Sequence, residues 1–292
     1  MSRNNDVERW LVGMVLVRAS RYLQAEGYWQ EQVAGLDEAV AAGGGDLVLQ
    51  IVPDEESERE TYRRWAAVGR IRTVIVENFQ VHDTRRALLD ELGLSVVVIG
   101  SASEAADRPS VHTSNNEEAA EVAIEALHRL GHRAIGHVSG PPRFSHSAAR
   151  SAAFAALASS LRLDLVEVGG DYSRESGAEA VRSLLDGGEP VTAIVFDNDL
   201  MAVGGLAQLA ASGVRVPEEM SVVAWDDSVR CQMSLPPLAA LSHDVREVGR
   251  VAGSIAVQAH TGRSVTSDAQ PPVFLPRGTV AAPPVAALDR RR

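Results

Sequence analysis

The sequence predicts an α/β protein built as two doubly wound parallel-sheet lobes with a ligand cleft between them. Three observations predict it. Short β-branched runs alternate with longer amphipathic stretches, the runs are apolar along most of their length, and there are more of them than one sheet readily holds. Strands buried on both faces read as continuous apolar runs, which is what parallel sheets covered by helices produce.

The strand-like runs are residues 11–17, 46–51, 73–76, 95–99, 134–138, 165–168, 193–196 and 221–224. Helical patterns occupy 29–42, 56–68, 84–92, 117–130, 147–160, 174–185, 199–211 and 244–259, so strand and helix alternate as in βαβ units. Gly43-Gly44-Gly45, Gly131, Gly187-Gly188 and Gly213 follow helical stretches, where a left-handed C-terminal residue is wanted. The stretch 108–116 lies about where a first lobe would end. The lobes are expected at 10–131 plus 245–271 and at 132–244 plus 272–285, with 286–292 a frayed tail.

The composition is 45% hydrophobic and 23% charged, enough to bury a sizeable core. Lys and Arg number 28 against 39 Asp and Glu, a net charge of −11 that repels a phosphate backbone. Cys231 is the single cysteine, so no intramolecular disulfide can form, which fits a reducing, cytoplasmic compartment. A buried inert thiol is its simplest use. Nothing resembles a signal peptide or a membrane span.

Catalytic motifs are not evident. Gly136-His137-Val138-Ser139-Gly140 has its serine in the wrong slot for a nucleophile elbow and reads as a strand exit. His128 and His132 are four apart, but Gly131 interrupts the helix between them and no third ligand is visible, so no metal is expected. Phosphate-cradling and dinucleotide-binding glycine loops are missing, and neither a cofactor nor an enzymatic activity is expected.

Several segments resemble one family in order. Residues 126–141 read Ala-Leu-His-Arg-Leu-Gly-His-Arg-Ala-Ile-Gly-His-Val-Ser-Gly-Pro. Residues 150–157 read Arg-Ser-Ala-Ala-Phe-Ala-Ala-Leu, and 192–204 read Thr-Ala-Ile-Val-Phe-Asp-Asn-Asp-Leu-Met-Ala-Val-Gly. Gly-Val-Arg-Val-Pro-Glu-Glu-Met-Ser-Val-Val-Ala-Trp-Asp-Asp follows at 213–227, with similar matches at 236–249 and 275–279. Together these segments resemble the lactose-repressor (LacI/GalR) family of transcription regulators, whose effector-binding core is similar to periplasmic sugar-binding proteins. The resemblance runs from about Trp10 to Val280. Ala153 stands where the family usually has glycine, Asn115-Asn116 where an Asp-Asn pair is common, and the first loop lacks the usual Asn-Pro.

The resemblance implies the ligand-binding set. Tyr28 and Trp29 match the aromatic pair opening the family's first helix, with Trp29 open to a plain core role. Phe144 and His146 follow a strand end, and Arg150, one turn along, matches an arginine whose fork of donors reaches ligand hydroxyls or a carboxylate. Tyr172 matches an aromatic that packs on the ligand. Asn198 and Asp226 match polar groups that fix hydroxyls or ring nitrogens, although Asn198 is equally a helix-cap residue. His243 follows a crossover and is either cleft-lining or structural. Arg18, Ser20 and Tyr22 are placed to close the first loop over a ligand.

The function implied is an effector-sensing core that binds a small molecule, a sugar or sugar-like polyol or else a purine, and controls DNA binding allosterically in a homodimer. Family members begin with a helix-turn-helix and a hinge helix that do not precede Trp10, so operator DNA is expected to be met only through a headpiece missing from this chain. The alternative is a sugar transporter's solute-binding receptor, with the same fold. The segment at 217–227 resembles regulators more than receptors.

Overall fold

The computed structural model describes residues 9–17, 27–105, 108–112, 116–188 and 190–284. Arg18, Ser20 and Tyr22 of the first loop, and the 286–292 tail, lie outside the described residues. The chain divides into two compact units, Met1–Thr113 with Asp244–Ala269, and Ser114–His243 with Gln270–Arg292.

The first unit carries strands β1 (Trp10–Val17), β2 (Gly45–Val52), β3 (Ile71–Val76), β4 (Ser95–Gly100), β5 (Ser110–His112) and β11 (Thr266–Asp268). Its helices are α1 (Gly27–Ala42), α2 (Glu55–Val68), α3 (Arg85–Glu91), α4 (Ala102–Ala105) and α10 (Val245–His260). The sheet order is β11-β5-β4-β3-β1-β2, parallel throughout. Because side chains alternate along a strand, Val12, Met14 and Leu16 of β1 face α1 and α10, while Val15 faces the other way, into the layer of Tyr62 and Trp65. Central strands such as β1 and β3 therefore feed two cores, and their runs must be apolar on both sides.

The second unit carries β6 (Ala134–Ser139), β7 (Asp164–Gly169), β8 (Ala193–Phe196), β9 (Ser221–Ala224), β10 (Ala239–Ser242) and β12 (Val273–Leu275). Its helices are α5 (Asn116–Leu130), α6 (Ser145–Leu161), α7 (Arg174–Asp186), α8 (Asp199–Ala211) and α9 (Val229–Met233). The order is β12-β10-β9-β8-β6-β7, parallel except for the antiparallel edge strand β12. On one face lie Ile135, Val195 and Val223 against α5 and α6; on the other, Val138, Ile194, Phe196 and Val222 against α7 and α8.

The predicted α/β architecture and its long elements are present, but the lobe boundary differs. Helix α5, expected in the first lobe, belongs to the second unit. Its apolar face, Ala119, Ala120, Ala123, Ile124 and Leu127, is buried with Ile135, Phe154 and Val223. The boundary consequently falls at 113 rather than 131, and the return crossings fall at 244 and 270.

Helix starts are fixed by side-chain caps. Asp54, Ser173, Asn198, Ser228 and Asp244 each accept from a backbone N–H three residues on, satisfying a donor the helix cannot. Helices α7 and α8 cross closely enough that a Cβ on Gly204 would lie 1.9 Å from the Arg174 carbonyl oxygen. Backbone cannot yield there as a flexible side chain would. Gly204→Ala is expected to cost about 1–3 kcal/mol by forcing the helices apart, read as a lowered urea midpoint.

Candidate functional site

The second-unit residues that the sequence points to follow the carboxyl ends of β6, β7, β8, β9 and β10. In open α/β sheets this is where loops of successive units converge on a ligand. Phe144 occupies the N-cap position of α6 without a side-chain cap and stacks on His146 at 5.4 Å between centroids, and the Arg143 guanidinium lies 4.5 Å from its ring centroid. His146 Nε2 lies 2.8 Å from the Tyr172 hydroxyl, and Ser147 Oγ lies 2.6 Å from that same hydroxyl. Burial pushes the Tyr172 hydroxyl up to about 12, the positive Arg150 opposes this, and the charges of Asp197 and Asp226 add to it.

Tyr172 sits in the left-handed region at φ 70°, uncommon for a bulky side chain. Two contacts hold it. Asn198 Nδ2 donates to its carbonyl at 3.0 Å, and its ring occupies the space beside Gly140, where a Cβ would lie 2.1 Å from the hydroxyl. Asn198 Oδ1 accepts from the Met201 N–H at 2.9 Å, so this amide caps α8 and fixes Tyr172 at once.

Arg150, on α6, is fixed on three sides. Nε donates to Asn116 Oδ1 at 2.9 Å, Nη1 donates to the Asp197 carbonyl at 3.1 Å, and the guanidinium lies 4.1 Å over the Trp225 ring. A planar cation that can stack on a ring while its fork of donors stays fixed is a property arginine has and lysine lacks. Trp225 also stacks with His243 at 6.0 Å. His243 is held down to about 4, by burial first and then by the charge of Arg150, against a hydrogen bond with the Trp225 backbone. Asp226, half-buried, follows Trp225 directly.

Tyr28 and Trp29 belong to the first unit. Trp29 is 4% exposed and packs with Val12, Met14 and Leu36, so it serves the core of that unit. Tyr28, half-buried, meets Trp29 edge-on at 5.3 Å, and its hydroxyl accepts from Gln32 Nε2 at 3.4 Å.

Sequence reasoning missed Trp225, Asn116 and Asp197. Asp197 is fully buried: Oδ1 lies 2.9 Å from His137 Nε2, and Oδ2 accepts from the Gly140 N–H at 2.9 Å and lies 3.9 Å from Arg150 Nη1. Burial would raise its carboxyl, but the charges of His137 and then Arg150, with these hydrogen bonds, bring it below the ordinary value. The available signal was parity. Glu167 pairs with His137, and Asp197 and Trp225 each lie two residues beyond a strand partner of that row, so period-two alternation puts all four on one sheet face.

His132 is structural, bridging Thr192 Oγ1 at 2.8 Å and the Ala281 carbonyl at 2.9 Å. Cys231 is buried and its thiol is pushed up to about 11 by that burial. Both nitrogens of His137 face carboxylates, so neither is open to take a proton from a nucleophile. Among the described residues, no cluster of three His, Cys, Asp or Glu could hold a metal ion, and no helix is long and apolar enough to cross a membrane.

Residues 124–280 match the family model of the periplasmic binding protein-like domain. The HTH-type transcriptional regulator CelR of Thermobifida fusca is 28% identical over 257 residues, 87% of this chain and 75% of that protein. The HTH-type transcriptional repressor CytR of Escherichia coli is 31% identical over 162 residues, 54% of this chain. That match spans 47%, about half, of CytR's length. Among solved structures, a LacI family transcriptional regulator from Bifidobacterium animalis subsp. lactis superposes with a TM-score of 0.85 at 28% identity, covering 94% of this chain and 98% of that one. A CelR–cellobiose complex superposes at 0.84 with 26% identity, covering 93% and 85%.

His243 has a folded-state pKa depressed from the ordinary 6.5 to about 4. Its neutral form therefore contributes stability that is full above 6.5 and is lost as pH falls toward 4. His243→Phe, which keeps a ring against Trp225, should lose less melting temperature than the parent between pH 7 and pH 4, measured by calorimetry in parallel buffers.

Proposed function

Since the chain belongs to the family of periplasmic binding protein-like domains, we propose that it is the effector-sensing core of a LacI-type transcription regulator. Its effector is a sugar or sugar-like polyol, and its output is control of DNA binding by the full-length dimer. The observation that carries this reading is the fixed Arg150 guanidinium on Trp225 beside Asp226, at the carboxyl ends of parallel strands. A guanidinium fork donates, a carboxylate accepts, and aromatic faces suit the C–H face of a sugar ring. The naming of CelR and CytR as transcription regulators, and cellobiose in the CelR complex, support the same reading.

Arg150 and Asp226 are the direct effector contacts, with Phe144, His146, Tyr172 and His243 forming the aromatic wall. Asn198 acts through Tyr172. The net charge of −11 disfavours contact with a phosphate backbone. A cytoplasmic, non-enzymatic protein follows from this role. Its self-association surface is the exposed apolar patch of Val229, Met233 and Leu235, exposed by 67%, 77% and 90%.

A thermal-shift panel of sugars, polyols, sugar phosphates and purines tests the effector class, because a ligand at a hundred times its Kd stabilises by about 2.7 kcal/mol. A neutral sugar should raise the melting temperature, and Asp226→Ala should abolish that rise while its unliganded melting temperature stays near the parent's. A response to purines alone would sink the sugar assignment. For self-association, Met233→Glu combined with Leu235→Glu should convert a dimer to a monomer in sedimentation equilibrium; a parent that is already monomeric would refute the patch.

A further inference from the structure

Glu167, His137 and Asp197 form a charged row across three strands of the second sheet. His137 and Glu167 occupy paired positions of β6 and β7, and His137 pairs with Val195 of β8, two residues before Asp197. The period-two alternation of strands puts all three on one face. His137 is completely buried, its ring stacked on Phe154 of α6 at 4.1 Å and 17°.

The hydrogen-bond inventory fixes its charge. His137 Nε2 is 2.9 Å from Asp197 Oδ1 and Nδ1 is 3.2 Å from Glu167 Oε2. Ionised carboxylates only accept, and a neutral imidazole has one N–H, so both contacts require the imidazolium. Glu167 faces the ring from β7 and also accepts from Ser139 and Ser151; Asp197 faces it from the end of β8. From α6, Arg150 reaches the far oxygen of Asp197 at 3.9 Å, longer than a direct hydrogen bond.

Asp197 thus stands between two cations and is tightly engaged with only one. If the imidazolium were lost, the buried carboxylate would turn to the remaining cation, because an uncompensated buried charge is costly. Arg150 would be drawn off Trp225, and donors now open to a ligand would be spent on Asp197.

We propose that His137 is a positioning residue for Arg150: its imidazolium holds Asp197, and Asp197 so held leaves the guanidinium on Trp225 with donors free for the effector. Its relevance to the effector rests on the reading of Arg150 as a contact. The positioning itself concerns only this chain. His137 is raised to about 9 by the charge and hydrogen bond of Asp197 and then by Glu167, against the lowering effect of burial. The folded value lies above the ordinary 6.5, so the protonated arrangement is complete below 6.5 and is lost as pH rises through 9.

The test is NMR on the ¹⁵N-labelled full chain without ligand, reading the Arg150 Nε–H resonance, assigned by its loss in Arg150→Lys. It should shift with pH at a midpoint near 9, the midpoint of the His137 ring signals. In Asp197→Asn, and in His137→Gln or His137→Leu, whichever keeps the parent's dispersed amide spectrum, that pH dependence should disappear. A pH-dependent Arg150 signal surviving in a folded His137 variant, or a His137 ring titrating near 6.5, would overturn the proposal. Cellobiose, added as a probe to the parent at pH 7 and pH 10, separates the two ideas. A titrating Arg150 signal that neither probe nor sugar panel perturbs keeps the positioning role and removes the effector reading.

Discussion

Burying the Asp197 carboxylate demands a compensating cation, and the neighbouring strand supplies it as His137. Removing an ion from water costs several kcal/mol even after relaxation, and removing one partner of a buried pair typically costs about 3–5 kcal/mol. The pair is therefore an expensive way to hold a sheet, since apolar residues of similar volume would hold it as well. What it adds is placement. Asp197 fixes the Gly140 N–H at the end of β6, the next residue Asn198 fixes the Tyr172 carbonyl, and the Tyr172 ring fills the space beside Gly140. These contacts close a circuit through three loops that otherwise have no reason to share a geometry.

The constraint explains several local departures from ordinary preference. Tyr172 adopts a left-handed backbone because its carbonyl is pinned on one side and its hydroxyl is bound by Ser147 and His146 on the other. Gly140 has no side chain because the tyrosine ring takes that volume. Strain of this kind persists only where surroundings over-determine it, and such places are disproportionately functional. The first unit shows the contrasting case. Arg85 is buried with Asp83 and Glu58, a pairing that joins α2 to the start of α3 and reaches none of the residues picked out for a ligand.

The long elements were legible because their period is dictated by burial. Strands such as β1 and β8 must be apolar on both faces, and α10 must show one stripe. Strand β10, Ala-Ala-Leu-Ser, was missed because its residues have little β-propensity and are held by neighbours; β5, β11 and β12 are three residues each, too short for a pattern. The boundary error at α5 has a related cause, since an apolar stripe tells that a helix covers a sheet and not which sheet. Arg150 and Asp226 of the proposed site were picked out through resemblance, and Trp29, picked out the same way with a core role left open, is buried in the first unit's core. The His137–Asp197 pair was missed because its members are 60 residues apart and meet only through strand register; parity shows that each shares a face with apolar strand residues, not that they pair.

The donor inventory of Arg150 narrows what the proposed site would accept. A guanidinium carries five N–H groups; Asn116 takes the one on Nε and the Asp197 carbonyl takes one on Nη1, while Trp225 covers a face. The remaining N–H groups point to an oxygen-rich partner. A phosphate would satisfy them, yet it would bring negative charge toward Asp226, and like charges in a partly desolvated site repel by several kcal/mol. A hydroxyl resolves the conflict, because one oxygen accepts from the guanidinium while its hydrogen is given to the carboxylate. Adjacent hydroxyls on a ring do this repeatedly with no net charge, and the apolar face of that ring suits the aromatic wall of Phe144, His146 and Tyr172. The His137 imidazolium, shared between Asp197 and Glu167, offsets part of their charge, and Arg150 and Asp226 supply the donors and the acceptor for a neutral polyol.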